Sequence, residues 1–114
     1  LILVNDSAVG YAVIESIDEK NRKCELAVVV GSPSLWGTGV GSYVVEEMLG
    51  YAFKELKMHR VFAVVCRGNA RSERMVRAMN FRLEGTMREA LFIDGQFVDL
   101  FCYSLLESEY QGRV

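Results

Sequence analysis

Long apolar runs, an excess of charge of one sign and proline are all scarce in this sequence. No apolar run reaches the roughly 18 residues that a membrane-spanning helix needs, and no signal peptide is visible at the start. The formal net charge of −2 gives no electrostatic case for binding nucleic acid. The sequence therefore favours a cytoplasmic protein that has neither a membrane nor a nucleic acid among its partners.

Residues that bind metals are also few. The three cysteines, Cys24, Cys66 and Cys102, are odd in number and widely spaced, and each lies in an apolar, strand-like run. This pattern predicts buried, reduced thiols rather than disulfides or zinc ligands. The single histidine, His59, has no cysteine or histidine at ligand spacing, so we predict a surface residue and no metal site.

The sequence contains enough apolar residues to form one hydrophobic core. Its 114 residues are 51% hydrophobic, which fits a single domain over residues 1–114. The chain begins with the strand-like run Leu1-Ile-Leu-Val4 and without an initiator methionine. We therefore expect the natural protein to carry a further segment before Leu1.

Hydrophobic periodicity and turn residues predict an α+β fold with a mixed, mainly antiparallel sheet of about six or seven strands and two helices packed on it. The only proline, Pro33, ends the third strand, and Asp94-Gly95 is a strong two-residue hairpin signal. The predicted elements are strands over 1–4, 8–17 and 23–30, a helix over 43–57, a strand over 60–66, a helix over 70–79, a hairpin of strands over 81–93 and 96–106, and a frayed polar end over 107–114.

A glycine-rich loop stands between the third strand and the long helix. In the stretch Leu35 to Ser42, glycine occupies every second position from Gly37 to Gly41. Glycine allows sharp turns and a close approach of a ligand to the backbone, and the first turn of a helix offers free N–H groups at the positive end of its dipole. The loop is thus either a cradle for a phosphate or pyrophosphate or a loop that merely turns the chain.

Five motifs follow one another along the chain and decide between these readings. They are Trp36-Gly37-Thr38-Gly39, Asn69-Ala70-Arg71-Ser72, Phe81-x-x-Glu84-Gly85-x-x-Arg88-Glu89, Asp94-Gly95-x-x-x-Asp99 and Tyr103-Ser104-Leu105. Together they resemble the GCN5-related N-acetyltransferase (GNAT) superfamily, in its branch of ribosomal-protein N-terminal acetyltransferases, over nearly the whole chain.

The sequence departs from that family pattern at three places. The strand and two helices that usually open the family's fold and form part of its acceptor site are absent. Asn80 stands where glycine usually precedes Phe81, a change that costs little because asparagine tolerates left-handed backbone. Many members carry a tyrosine seven residues after the motif asparagine as the acid for the thiolate, and here that position is Val76.

The resemblance implies a site for acetyl-CoA as co-substrate. Backbone amides of the loop would bind the pyrophosphate, the end of the third strand would pair with the pantetheine amides like an added strand, and Asn69 would hydrogen-bond the pantetheine arm in addition to capping its helix. The implied cofactor-binding residues are Val28, Val29, Val30, Trp36, Gly37, Thr38, Gly39, Val40, Gly41, Ser42, Asn69 and Ser72.

The reaction implied is direct transfer of the acetyl group to a primary amine. Ser72 is the candidate acid for the departing thiolate, and its alternative role is that of an ordinary serine in a first helical turn. Glu25 is the candidate base acting through water, or else a solvated or paired strand carboxylate. Tyr103 and Asp99 are candidates for the acceptor side of the hairpin, or else core and surface residues. Arg71, Arg74 and Arg77 share a helix face that is either solvated or in contact with the 3′-phosphate of CoA.

The acceptor and the partners are left open. A protein or peptide N-terminal amine is the first expectation, a polyamine or other small amine the second, and a catalytically silent acyl-CoA-binding module the third. Dinucleotide binding is disfavoured, because Ser42 stands where the Gly-x-Gly-x-x-Gly pattern needs its last glycine. Acetyl-CoA and the amine acceptor are the expected partners, and a homodimer is left open.

Overall fold

The computed structural model describes residues 1–5, 7–31, 34 and 38–111, with the side chains of Val30 and Gln111 excepted. The fold is α+β, and six strands form one mostly antiparallel sheet in the order β1-β2-β3-β4-β6-β5. The elements are β1 (Ile2–Val4), β2 (Ser7–Asp18), β3 (Lys23–Val30), α1 (Val40–Gly50), a π-helical segment (Tyr51–Glu55), β4 (Arg60–Cys66), α2 (Ala70–Ala78), β5 (Arg82–Ile93), β6 (Gln96–Leu106) and α3 (Glu107–Gln111).

Two compact units divide the chain, Leu1–Val61 and Phe62–Val114. That the chain is one domain stays a prediction. No helix within the described ranges is long and apolar enough to cross a membrane.

The first unit opens with the predicted meander of three strands. β1 pairs antiparallel with β2, and β2 pairs antiparallel with β3 through a charged turn that Asp18 closes. Both carboxylate oxygens of Asp18 accept hydrogen bonds from Asn21, at 2.9 Å from the backbone N–H and 2.8 Å from the side-chain amide. These bonds lower the pKa of Asp18, because they favour the ionised form.

Helix α1 packs against β2 and β3 with the apolar face that its periodicity predicts. Val45, Leu49 and Ala52 recur at helical spacing and are buried, and Phe53 and Met58 are also part of the core of this unit. The helix does not stay α-helical to Lys57. After Gly50 it widens into the π-helical segment, in which Leu56 N–H donates to the Tyr51 carbonyl at 3.0 Å. The sequence pattern gives no sign of this change, because a π-helical segment of five residues is only about one turn and is too short to shift the apolar periodicity.

The second unit contains α2 between β4 and the final hairpin. Asn69 caps α2, and the helix ends in a Schellman motif, in which Phe81 N–H donates to the Val76 carbonyl and Asn80 N–H to the Arg77 carbonyl. Asn80 has a φ of 67°, which confirms that asparagine replaces glycine here in left-handed backbone. The apolar side of α2 includes Met79, which is buried, and Met75, which is half-buried.

The hairpin of β5 and β6 turns at Asp94-Gly95 as predicted. Both turn residues have positive φ, 49° and 76°, and Ile93 pairs with Gln96 on either side of them. The pairing then shifts twice, between Leu83 and Gly85 and between Met87 and Leu91. Each shift is a bulge in β5, which bends the strand and leaves residues out of register with β6.

Two predictions, for the C-terminal residues and for the cysteines, are wrong in part. Residues 107–111 form the short helix α3 rather than a frayed end, because Tyr110 is buried and Glu109 accepts a hydrogen bond from the Leu106 N–H at 2.9 Å and pairs with Arg82. All three cysteines are free, yet only Cys24 is buried, while Cys66 and Cys102 are half-buried. A strand that alternates between two faces exposes one of them more than the other, and an apolar run does not reveal which. His59 is exposed, as predicted.

Candidate functional site

The predicted anion cradle lies at the start of α1. Gly39 precedes the helix with φ 94°, in left-handed backbone that favours glycine, and its carbonyl accepts the Tyr43 N–H at 2.9 Å. The N–H groups of Val40, Gly41 and Ser42 form the first turn, where an α-helix supplies no acceptor of its own. No acidic residue lies in that turn, so the positive end of the helix dipole is not neutralised there.

The cradle is therefore built from backbone rather than from charged side chains. A Cβ added at Gly39 would meet no described atom within 4 Å. Thr38 is also exposed, whereas Val40, Gly41 and Ser42 are half-buried. The predictions for Trp36 and Gly37 fall outside the described residues.

The end of β3 belongs to the same unit as the cradle. Val28, Val29 and Val30 pair with Ala12, Tyr11 and Gly10 of β2. Val28 is half-buried and Val29 is 42% exposed. Pairing of this strand with a pantetheine arm stays a prediction.

A cavity that the sequence analysis did not predict adjoins the cradle. It has a volume of about 630 Å³ and lies beside Thr38 and Gly39. One wall is the exposed side of α1, which presents Tyr43 and Glu47, and the other is β1 with Ala12 of β2. In the sequence, the spacing of four residues between Tyr43 and Glu47 indicates that both lie on the same face of α1, which is the face that lines this cavity.

Asn69 and Ser72 come together at the start of α2. The Asn69 side chain accepts a hydrogen bond from the Ser72 backbone N–H at 3.2 Å, so the helix-capping role of Asn69 is present. The cap engages only the amide oxygen, and an asparagine amide also carries two N–H donors. The Ser72 side chain is half-buried. A cofactor contact of Asn69 and proton donation by Ser72 are compatible with this geometry and stay predictions.

Glu25 lies in β3 directly opposite Glu15 of β2. Burial raises the pKa of Glu25 above its ordinary value of 4.5, and the negative charge of Glu15 raises it further. Both causes act in the same direction, since each disfavours a second carboxylate charge at this place. A carboxyl group with a raised pKa is better matched to proton transfer near neutral pH than an ordinary one.

The remaining candidates divide between core and surface. Tyr103 is 2% exposed and lies opposite Leu83 in the hairpin. Asp99 is mostly covered and pairs with Arg67 at 3.2 Å. Three exposed arginines on α2 follow the predicted face, namely Arg71, Arg74 and Arg77. Within the described residues, no group of three or more histidine, cysteine, aspartate and glutamate residues is arranged to hold a metal ion.

Comparison with known proteins places these elements in one family. The family model described as "Acetyltransferase (GNAT) domain" matches residues 1–82. The "Putative ribosomal N-acetyltransferase YdaF" of Bacillus subtilis (strain 168) is 31% identical over 112 residues, which make up 98% of this chain and 61% of that protein. The "Spermidine N(1)-acetyltransferase" of Vibrio cholerae is 25% identical over 105 residues, covering 92% of this chain and 60% of that protein.

The fold agrees with these matches. The crystal structure named "Probable acetyltransferase" has a TM-score of 0.89 and 31% sequence identity, covering 94% of this chain and 60% of that one. The chain thus spans about three fifths of the length of the curated relatives named above. GNAT acetyltransferases use acetyl-CoA as co-substrate. With the family model matching most of its length, the chain belongs to the GNAT acetyltransferase family.

Proposed function

We propose that this chain binds acetyl-CoA and transfers its acetyl group to a primary amine. The observation that carries the proposal is the start of α1, where left-handed Gly39 opens onto a first turn without acidic residues. Two phosphate groups need hydrogen-bond donors and a positive potential, and this turn offers both without a lysine or arginine. The backbone amides of residues 37–42 bind the pyrophosphate in this proposal.

The other cofactor contacts follow from the two remaining groups of residues. The backbone at the end of β3, from Val28 to Val30, pairs with the amides of the pantetheine arm. Asn69 donates a hydrogen bond to that arm through its amide N–H groups, while its oxygen keeps the cap on Ser72 N–H. Each contact is made by the backbone or by a side chain already held in place.

Transfer proceeds by direct attack of the neutral amine on the thioester carbonyl. The new C–N bond forms as the C–S bond breaks, and the sulfur leaves with the bonding electron pair. The amine nitrogen loses a proton to Glu25 through a water molecule, and the thiolate gains a proton from Ser72. Solvent water then returns a proton to the Ser72 oxygen, and Glu25 releases its proton to solvent. The raised pKa of Glu25 supports the role of base. Serine is a weak acid, so its contribution depends on its position in the first turn of α2 rather than on its acidity. Tyr103 supports the acceptor side of the hairpin from within the core.

The first acceptor that we propose is a protein or peptide N-terminal amine, and the second is a polyamine. The relative named as a ribosomal N-acetyltransferase is more similar to this chain than the one named as a spermidine acetyltransferase, at 31% against 25% identity. That difference supports the order of the two acceptors. A homodimer is the assembly that we propose to test, by measuring the molar mass in solution.

A silent acyl-CoA-binding module is the second candidate function. Val76 is half-buried in α2 at the position where many family members carry the acidic tyrosine, and a valine cannot donate a proton. If Ser72 does not replace that tyrosine, the chain holds the thioester without turning it over.

Two measurements test these proposals on the 114-residue chain. Acetyl-CoA should raise the melting temperature and NAD should not, because a ligand that binds only the native state stabilises it by mass action. An unchanged melting temperature at millimolar acetyl-CoA would refute cofactor binding. Mass spectrometry after incubation with an alanine- or serine-initiated peptide, or with spermidine, then identifies the acceptor. Acetyl-CoA binding without an acetylated product over hours would favour the silent module.

A further inference from the structure

The wide bulge of β5 is closed by a carboxylate from the facing strand. Met87 pairs with Leu100 and Leu91 pairs with Val98, so residues 88–90 of β5 face Asp99 alone. Glu89 takes a φ of 50° there, which is unusual for a residue other than glycine. Its N–H donates to Asp99 Oδ1 at 2.8 Å. A charge-assisted bond of this length holds the bulge in its irregular shape.

The second oxygen of the same carboxylate reaches the turn before α2. Asp99 Oδ2 lies 3.2 Å from Nη1 of Arg67, and the Asp99 carbonyl accepts the Arg67 backbone N–H at 3.0 Å. The Arg67 side chain is 69% exposed and that of Asp99 only 20%. The ion pair alone therefore contributes little to stability. Together with the backbone hydrogen bond, the ion pair restrains Arg67 at both its side chain and its backbone N–H.

A short stretch of chain with hydrogen bonds at both ends leads from Arg67 to the proposed proton donor. After Arg67 and Gly68, Asn69 N–H donates to the Cys66 carbonyl at 3.0 Å, and the Asn69 side chain then caps Ser72 N–H. The bulge at Glu89, the Asp99 carboxylate, the turn and the first turn of α2 are thus joined by bonds between adjacent groups.

We propose that Asp99 is a positioning residue that couples the bulge of the final hairpin to the first turn of α2. It fixes where Ser72 stands by restraining Arg67, and it restrains the hairpin at the same time. A movement of the hairpin on binding an acceptor therefore reaches Ser72 through Asp99, by its carboxylate and its backbone carbonyl. The link to catalysis rests on the proposed function, whereas the coupling itself does not.

This role explains the motif Asp94-Gly95-x-x-x-Asp99. The two-residue turn fixes the register, so that Gln96, Phe97 and Val98 pair with the last three residues of β5. Asp99 is then the first residue of β6 that meets the bulge. A shorter or longer spacing would bring a different side chain to Glu89 N–H.

The chain contains a matched control for this arrangement. Glu109 also accepts a backbone N–H with one oxygen, that of Leu106 at 2.9 Å, and pairs with an arginine through the other, Arg82 at 2.9 Å. Its side chain is 23% exposed, close to the value for Asp99. Glu109 lies in α3 and contacts Leu106 of β6 and Arg82 of β5 rather than the turn before α2, so its loss should not reach Ser72.

Amide hydrogen exchange measured by NMR on the full chain tests the coupling, with Asp99→Ala, Asp99→Asn, Arg67→Gln and Glu109→Ala compared with the wild type. In Asp99→Ala we expect the amides of Glu89 and Ser72 to exchange about tenfold faster or more, because both carboxylate contacts are lost and only the backbone bond from Arg67 N–H to the residue 99 carbonyl remains. Arg67→Gln should affect Ser72 and spare Glu89. Asp99→Asn keeps an acceptor for Glu89 N–H and should spare Glu89 as well. Glu109→Ala should change Leu106 alone.

An unchanged Ser72 amide in both Asp99→Ala and Arg67→Gln would overturn the proposal and leave Asp99 as a local clamp on the bulge. The amide of Leu105, buried in β6, reports global opening. If the Leu105 amide also exchanges faster in Asp99→Ala, the exchange in that variant reflects global opening. The exchange rate of the Ser72 amide in Arg67→Gln and Asp99→Asn then tests the coupling instead. In an acetyl-transfer assay, Arg67→Gln should lower kcat severalfold with little change in the KM for acetyl-CoA, as loss of a positioned proton donor requires. If the wild type binds no acetyl-CoA, the proposed function fails, and the exchange rates still test the coupling.

Discussion

Replacement of Gly39 tests the anion cradle at the residue on which its shape depends. At φ 94°, an alanine in this position carries a strain of about 1–2 kcal/mol, and a β-branched valine carries more. No described atom lies within 4 Å of an added Cβ, so neither variant creates a clash within the described chain. Strain and contact between the ligand and the new side chain are the two causes of lost affinity that the described residues point to.

The size of the effect separates these causes. If the free loop relaxes away from left-handed backbone in Gly39→Ala, binding must restore it, and the Kd for acetyl-CoA rises about 5- to 30-fold, since about 1.4 kcal/mol corresponds to a factor of ten. If the Cβ also blocks the pyrophosphate, the loss is larger. Gly39→Asn distinguishes the two, because asparagine tolerates this backbone and yet carries a Cβ. For Gly39→Val we expect a loss of more than about 100-fold with the fold retained.

Isothermal titration with acetyl-CoA measures these changes, and Gly95→Ala is the matched control. Gly95 has a φ of 76° and equally open space around an added Cβ, but it lies in the hairpin turn. Its substitution should cost similar stability and leave the Kd unchanged. Wild-type affinity in folded Gly39→Val would refute the cradle, and equal losses in Gly95→Ala would show a general effect of destabilisation.

Three further predictions follow from single side chains. Ser72→Ala should lower kcat on the order of a hundredfold with an unchanged KM for acetyl-CoA, because the backbone N–H that Asn69 caps remains. If steady-state kinetics show an unchanged kcat, Ser72 is an ordinary residue of the first helical turn and not the proton donor. Leu49→Ala should lower the free energy of unfolding by about 2–5 kcal/mol in urea titrations, since this side chain is fully buried; a loss below about 1 kcal/mol would contradict the packing. The pKa of Glu25 is raised above 4.5 in the folded state, so between 4.5 and the raised pKa the folded state binds more protons than the unfolded state. The free energy of unfolding should therefore fall as the pH rises through that interval. Glu15→Gln should make that fall smaller, and an unchanged pH profile in urea titrations would show that Glu15 has no influence on Glu25.

The sequence by itself determined those features that depend on residues close together in the chain. The Asp94-Gly95 turn, the Asn69 cap and the left-handed Asn80 each follow from the conformational preferences of one or two residues, and all three are present. The apolar face of α1 follows from its own periodicity. The glycine loop and the ordered motifs indicate the family from sequence alone, because they are residues of particular types at fixed spacing.

Only the tertiary structure decided which side chains meet across strands and which are covered. Glu15 and Glu25 are opposed because of the register between β2 and β3. Asp99 reaches Glu89 because β5 carries a bulge of three residues, and the amino-acid composition of β5 does not predict that bulge. Tyr103 is buried although its motif could equally belong to a surface strand. Register, bulges and burial depend on free energies summed over distant parts of the chain, so no local pattern contains them.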